Sequence, residues 1–202
     1  YRTFSMTNGV SLYGGFAGTE DPLTFDINSR DFVTNETILS GDFNGNDDES
    51  DTTTFDDNAF HVIYNPEQAG LDNTAVLDGF TVKGGNSSET AYPFDRGGGI
   101  FNNGSSPSIQ NCIIKNNRAG YGGAMANTGA DPVITACDFT DNQAEFGGGV
   151  WDYNAGAVFS GCKFVSNTAS DTGGGVYTNS SSQQFMTCYF SANKSQVNSY
   201  SV

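Results

Sequence analysis

Basic residues are scarce: eight lysines and arginines stand against 23 aspartates and glutamates, for a formal net charge of −15. Nucleic acids and anionic membrane surfaces are held by clustered Lys and Arg, so neither is expected as a partner. The excess of acid instead suits solubility, cation binding or an extracellular setting. There is one histidine, His61. That excludes a multi-histidine metal site, and a Ser-His-Asp triad would have to be built on a residue in an apolar strand, where a satisfied strand histidine is the plainer reading. No apolar run approaches the length of a membrane helix, and no stretch spaces apolar residues at i, i+3, i+4. Charged residues make up only 15% of the chain while glycines number 26, which excludes a charged disordered chain and suits tight turns. The chain opens on Tyr1 without a signal peptide, which reads as a processed or trimmed N-terminus.

What is present in abundance is a repeat. Gly97-Gly98-Gly99-Ile100, Gly122-Gly123-Ala124-Met125, Gly147-Gly148-Gly149-Val150 and Gly173-Gly174-Gly175-Val176 share one frame. Each is followed by a cysteine, at Cys112, Cys137, Cys162 and Cys188, spaced 25, 25 and 26 residues apart. Ile114, Phe139, Phe164 and Phe190 keep the same register, as do Asn117, Asn142, Asn167 and Asn193. Several columns in register over four units mark a solenoid. A unit of this length, rich in Gly, Asn, Ser and β-formers, is too short for a helix pair and suits a coil of three short strands.

The fold expected is therefore all-β, a parallel β-helix in which each column stacks on itself at the strand spacing. Ile100, Met125, Val150 and Val176 form one inward ladder, and Ile109, Ile134, Phe159 and Phe185 a second. The cysteine column and the Ile/Phe column two residues later share one face of a third strand. Stacked in-register thiols point the same way rather than at each other, so the four cysteines are expected as buried free thiols. The asparagine column is expected in a turn, its amides bonding up and down the stack. The Gly triplets mark a bend needing positive φ or close approach.

The pairing of Gly-Gly-Ala/Gly-Ile/Val/Met with Phe-x-x-Asn, seen in Phe139-Thr140-Asp141-Asn142 and Phe164-Val165-Ser166-Asn167, resembles the repeat of polymorphic outer-membrane proteins and other right-handed parallel β-helix surface proteins. The resemblance covers about half the chain. It implies a secreted or surface-displayed right-handed β-helix used for adhesion or structure, and it carries no catalytic residue across.

The first half is less regular, with strands expected at Val10 to Tyr13, Thr37 to Ser40, Phe60 to Tyr64 and Ala75 to Val82. Residues 1–96 are read as irregular coils with long loops and 97–202 as regular repeats of the same single domain. Two insertions stand out. Ser87 to Arg96 is a polar loop protruding from one face, where solenoids tend to carry function. Gly41 to Asn58 holds Asp42, Asn44, Asn46 and Asp48 at every second position, which mimics the first four ligand positions of a calcium loop. The twelfth position is Thr53 rather than Glu, so bound Ca2+ and a solvated acidic loop both stand as readings.

Phe101, Ala126, Trp151 and Tyr177 follow the aliphatic ladder, and alternation turns them outward, with Tyr153 on the same face. Exposed aromatics in a row would stack on sugar rings or a partner chain; the alternative is a surface loop that covers them. Asn35, Asn86, Asn103, Asn179 and Asn193 each open an Asn-x-Ser/Thr sequence. Asn193 belongs to the ladder, which leaves the first four as glycosylation candidates. Asp51-Thr52-Thr53 resembles the short O-glycosylation signal of Bacteroidetes secreted proteins, with Thr52 as its acceptor.

No residue set is assigned to catalysis. Many right-handed β-helices are polysaccharide lyases or hydrolases. Here Lys115 and Lys163 fall in different columns, and of the neighbouring carboxylates Asp138 and Asp141 the second lies in the turn beside the Asn ladder, with no third acidic residue in their columns. The sequence thus reads as about eight coils, roughly 35 to 40 Å long. Its expected role is extracellular and structural, associating end to end with copies of itself through uncapped ends. An adhesin or carbohydrate-binding solenoid is the first rival and a calcium-assisted polysaccharide lyase the second; the lyase requires Lys or Arg to converge on Asp42 to Asp51.

Overall fold

The computed structural model describes residues 3–48, 50–89 and 91–196. Its chain winds through four parallel sheets of six, six, five and five strands. One complete coil runs Ser108–Gln110, Ile113–Lys115, Arg118–Tyr121 and Met125–Thr128. The coil thus has four short strands rather than the three expected. The reason is local: backbone corners with left-handed φ fall at Asn111, Asn116, Gly122 and Gly129. Those corners recur in register at Ala136, Asp141, Gly147 and Asn154, so four bends per turn are built into every coil.

Only some of these corners are glycine, and an L-residue in this region carries a steric cost of about 1–2 kcal/mol. Ala136, at φ 52, is exposed, and the next coil already uses Gly161 in its column. Replacing Ala136 with glycine is expected to raise stability by about 1 kcal/mol, readable as a higher urea midpoint with an unchanged m-value.

Strand pairing follows the columns read from the sequence. Ile100, Met125, Val150 and Val176 stack in register, preceded by Ile63. Leu77, Ile109, Ile134, Phe159 and Phe185 form the second ladder. Val82, Ile114, Phe139, Phe164 and Phe190 form the third. The three line one continuous core. The Gly triplet is where the coils approach most closely: a Cβ on Gly148 would enter the carbonyls of Thr168 and Gly174. The four cysteines are free; Cys112, Cys137 and Cys162 are buried, while Cys188 is half-buried.

Among the described residues the stack is six strands deep, not eight coils, which gives these residues a length of about 25–30 Å. The missing coils went into loops. Leu12 pairs with Leu77, 65 residues further on, and Leu39 pairs with Val82. The opening turn, Ser11–Tyr13, Thr37–Ser40 and Ile63–Asn65, therefore spends its length on excursions between strands. The expected strand from Ala75 to Val82 is two, Val76–Asp78 and Phe80–Lys83, broken at Gly79 with φ 82. The strand expected at Phe60 to Tyr64 begins later, at Ile63. The segment Ser199 to Val202, read as the start of a further strand, lies outside the described residues.

Two polar ladders run inside this apolar core. Asn117, Asn142 and Asn167 are fully buried at the corner after the third ladder. Asn117 Nδ2 donates to Asn142 Oδ1 at 3.1 Å, Asn142 to Asn167 at 2.9 Å and Asn167 to Asn193 at 3.0 Å. The same amides also donate to backbone carbonyls, as Asn142 does to Ile114 at 2.8 Å, which removes the penalty of burying them. A second ladder, not read from the sequence, joins Asn65, Asn102, Asn127 and Asp152, all buried. Each amide donates to the next coil, at 2.9, 2.8 and finally 2.6 Å to Asp152 Oδ1.

Candidate functional site

The two insertions meet on one side of the first coils. The Gly41 to Asn58 loop is anchored by Phe55, which is buried with the Arg118 guanidinium 3.9 Å from its ring centre. Inside the loop the carboxylates that the spacing singled out accept from backbone N–H groups. Asp42 Oδ1 accepts from the backbone N–H of Gly45 at 2.6 Å, and Asp48 Oδ1 accepts from the Ser50 N–H at 2.8 Å. Asn44 donates its backbone N–H to Asp57. Among the described residues no group of three or more His, Cys, Asp or Glu is placed to hold a metal. Asp42, Asp47 and Lys83 line a polar hollow of about 570 Å3 beside the loop. Burial, together with Asp42 and Asp57 nearby, pushes the Asp47 carboxyl above its ordinary value.

The row of outward aromatics is present but not exposed. Phe101, Ala126 and Trp151 form a second apolar layer outside the coil, with Tyr177 half-buried and only Tyr153 well exposed. The Ser87 to Arg96 insertion covers them: Tyr92 meets Phe101 edge-on at 6.2 Å, and the Arg96 guanidinium lies 4.9 Å from both Tyr92 and Trp151. Tyr121 and Phe146, stacked at 5.3 Å, close the other side. Alternation gave the right face, and of the two readings left open there the structure has the covering loop, which a period of two could not foretell. Arg96→Ala is expected to uncover Trp151, the only tryptophan. Its fluorescence should shift to the red, with a loss of about 1–2 kcal/mol in a urea melt.

Where the two insertions touch, an aromatic cleft of about 330 Å3 opens. Phe60, two residues beyond the first insertion, lies 4.8 Å from Phe94 of the second. Phe43, Tyr64, Pro93 and Thr3 complete much of the wall. His61 forms part of it, packed at 5.3 Å on Tyr64 and 5.6 Å on Phe101. Asn58 also lines the cleft, and its amide nitrogen donates to Asp47 at 3.0 Å.

His61 is not the satisfied strand residue expected. Its Nδ1 lies 3.1 Å from the Gly97 carbonyl, which only accepts, so Nδ1 carries the proton. Burial holds the imidazole pKa below its ordinary value despite the pull of the Gly97 and Arg96 backbone carbonyls and the nearby Asp95. In the neutral ring Nε2 is then the acceptor nitrogen. Nε2 is buried without a protein partner, and so is Asn58 Oδ1. The sequence signal for this site was faint: an apolar cluster, Ala59-Phe60-His61-Val62, directly after one insertion, and Pro93-Phe94 inside the other.

Of the glycosylation candidates, Asn179 is exposed and Asn35 half-buried. Asn86 and Asn103 spend their amide nitrogens on the Phe55 carbonyl and the Tyr92 hydroxyl. Thr52 opens a short 3-10 turn, Thr52–Phe55, and its side chain lies outside the described residues. Lys163 meets Asp138 across the coils at 3.2 Å, an exposed pair of small weight.

No curated protein and no solved structure matches the chain. The family model for the right-handed beta helix region matches residues 27–195. With its parallel sheets and stacked coils, the chain belongs to the right-handed β-helix family.

Proposed function

We propose that this chain is an extracellular binding solenoid, an adhesin or carbohydrate-binding β-helix that presents its insertion-built face to a glycan. The observation that carries this reading is the cleft where the two insertions meet, walled by Phe43, Phe60, Tyr64, Pro93 and Phe94. Ligand sites are concave, mostly apolar and furnished with a few polar atoms that fix orientation, and aromatic walls suit the apolar faces of sugar rings. The resemblance of the repeats to surface proteins and the excess of acid over base fit the same setting. A glycan array probed with the purified chain tests it. Binding to a defined set of glycans, lost in Phe94→Ala, supports the reading; an array without signal contradicts it.

End-to-end association is the second reading. Phe185, Met186, Tyr189 and Phe190 are 40–56% exposed on the last described coil, although Phe159 and Phe164 in the ladders of Phe185 and Phe190 are fully buried. A second copy would cover such a surface. Sedimentation at micromolar concentration decides it: a growing species supports stacking, a monomer at all concentrations opposes it. The lyase reading draws on Lys83 beside Asp42 and Asp47, yet those carboxylates are occupied within the loop or by Asn58, so it is not adopted.

A further inference from the structure

We infer that Asn44, in the Asn44-Gly45 pair of the first insertion, is a site of spontaneous covalent modification: it closes to a succinimide and opens to isoaspartate and aspartate, with the Asp42 carboxylate accepting the proton of the attacking amide. Nothing in this depends on the binding role proposed above. Three observations converge on it.

The first is the sequence. Asparagine is followed by glycine at Asn8-Gly9, Asn44-Gly45 and Asn103-Gly104. In each pair the carboxamide carbon and the next backbone nitrogen can close a five-membered ring, an intramolecular reach that replaces a collision. Glycine carries no Cβ to screen that nitrogen.

The second is that the fold separates the three pairs. The Asn8 side chain is tied at both ends, donating to the Gly70 carbonyl at 3.1 Å and accepting from the Asp72 N–H at 2.9 Å. Asn103 closes the strand Ile100–Asn103 and donates to the Tyr92 hydroxyl at 2.8 Å. Asn44 is exposed, and among the described residues only its backbone N–H is hydrogen-bonded, to Asp57. A Cβ on Gly45 would meet nothing within 4 Å, so the space around the pair is open.

The third is the partner of the attacking nitrogen. The Gly45 N–H donates to Asp42 Oδ1 at 2.6 Å, whereas the Gly9 N–H meets the Thr74 hydroxyl and the Gly104 N–H the Thr128 carbonyl. Of these three acceptors only the carboxylate is a base that can take the proton. Gly45 N then bonds to Asn44 Cγ as its proton passes to Asp42, the Cγ–Nδ2 bond breaks, and ammonia leaves with that proton. Water opens the ring. Cleavage at Cγ gives aspartate, and cleavage at the Asn44 main-chain carbonyl gives isoaspartate. Either product adds a carboxylate to a loop that already holds Asp42, Asp47 and Asp57. Isoaspartate also lengthens the backbone by one carbon directly after Phe43, a wall of the cleft.

The test is incubation of the full chain at mildly alkaline pH, read over time by peptide mass spectrometry and by enzymatic methylation of isoaspartate. The expected result is conversion at Asn44 about tenfold or more faster than at Asn8 or Asn103, and slowed about tenfold or more in Asp42→Asn. That variant keeps an amide oxygen to accept the Gly45 N–H, and an unchanged thermal melt verifies that it folds. In urea, where Asp42 no longer faces Gly45, the three rates should come together. No conversion at Asn44, three equal rates in the folded chain, or an Asp42→Asn variant that converts as fast as the parent overturns the inference.

Discussion

Arg30→Ala is expected to be the most damaging single change, at about 3–5 kcal/mol, the usual cost of removing one partner from a buried ion pair. Arg30 ties the long excursion between the first two strands to the coil beneath it. Its guanidinium meets Asp78 at 3.1 Å, with both side chains less than a tenth exposed. It also donates to the carbonyls of Ile27 and Gly14, and stands 4.9 to 5.7 Å from the rings of Tyr13, Phe16 and Phe32. Removing it leaves Asp78 buried with only Asn111, which donates to Asp78 Oδ1 at 2.9 Å. A urea titration reads the effect, and a loss below about 1 kcal/mol would show that the loop does not depend on this residue. Because the damage comes from the orphaned charge, Arg30→Met combined with Asp78→Leu should recover part of it.

Asp152→Asn is expected to stabilise the protein at neutral pH. Asp152 ends the inner ladder: its Oδ1 accepts from Asn127, while Oδ2 is buried without a properly formed hydrogen bond. Burial pushes its pKa from the ordinary 3.8 to about 6, offset in part by Asn127 and Gln183. For an acid whose folded pKa lies above its unfolded one, the folded state holds the proton more tightly. Stability is therefore greatest below about pH 4, falls as pH rises towards 6, and stays at the lower value above it. A displacement of about two pH units corresponds to about 3 kcal/mol at neutral pH. Asparagine continues the amide ladder without a charge. Thermal melts should place Asp152→Asn several degrees above the parent at pH 7.5, with the gap closing at pH 4. An equal gap at both values would mean that the charge of Asp152 is not the cause.

The regular half was legible because in-register stacking turns periodicity directly into structure. Once Ile100, Met125 and Val150 share a frame, so must their strands, and the spacing of Phe139 from Asn142 sets a corner. The coil count was not legible, since nothing in Gly15 to Thr34 says that the chain leaves the coil and returns. The Asn65 to Asp152 ladder escaped because its last member is an aspartate and its first lies outside the regular repeats. The cleft was least visible of all: Phe60 lies just past one insertion and Phe94 inside the other, 34 residues on, and only the packing of both loops over Tyr64 and Phe101 joins them. Both insertions were recognised as the irregular parts, and the candidate site is where they meet.

A crystal structure of the chain soaked with the glycan that binds most tightly tests the central claim most directly. The expected result is a sugar ring seated in the cleft against Phe60 and Phe94. A sugar seated instead on Tyr153 and the outer aromatic layer, or in the hollow beside Lys83, would contradict it.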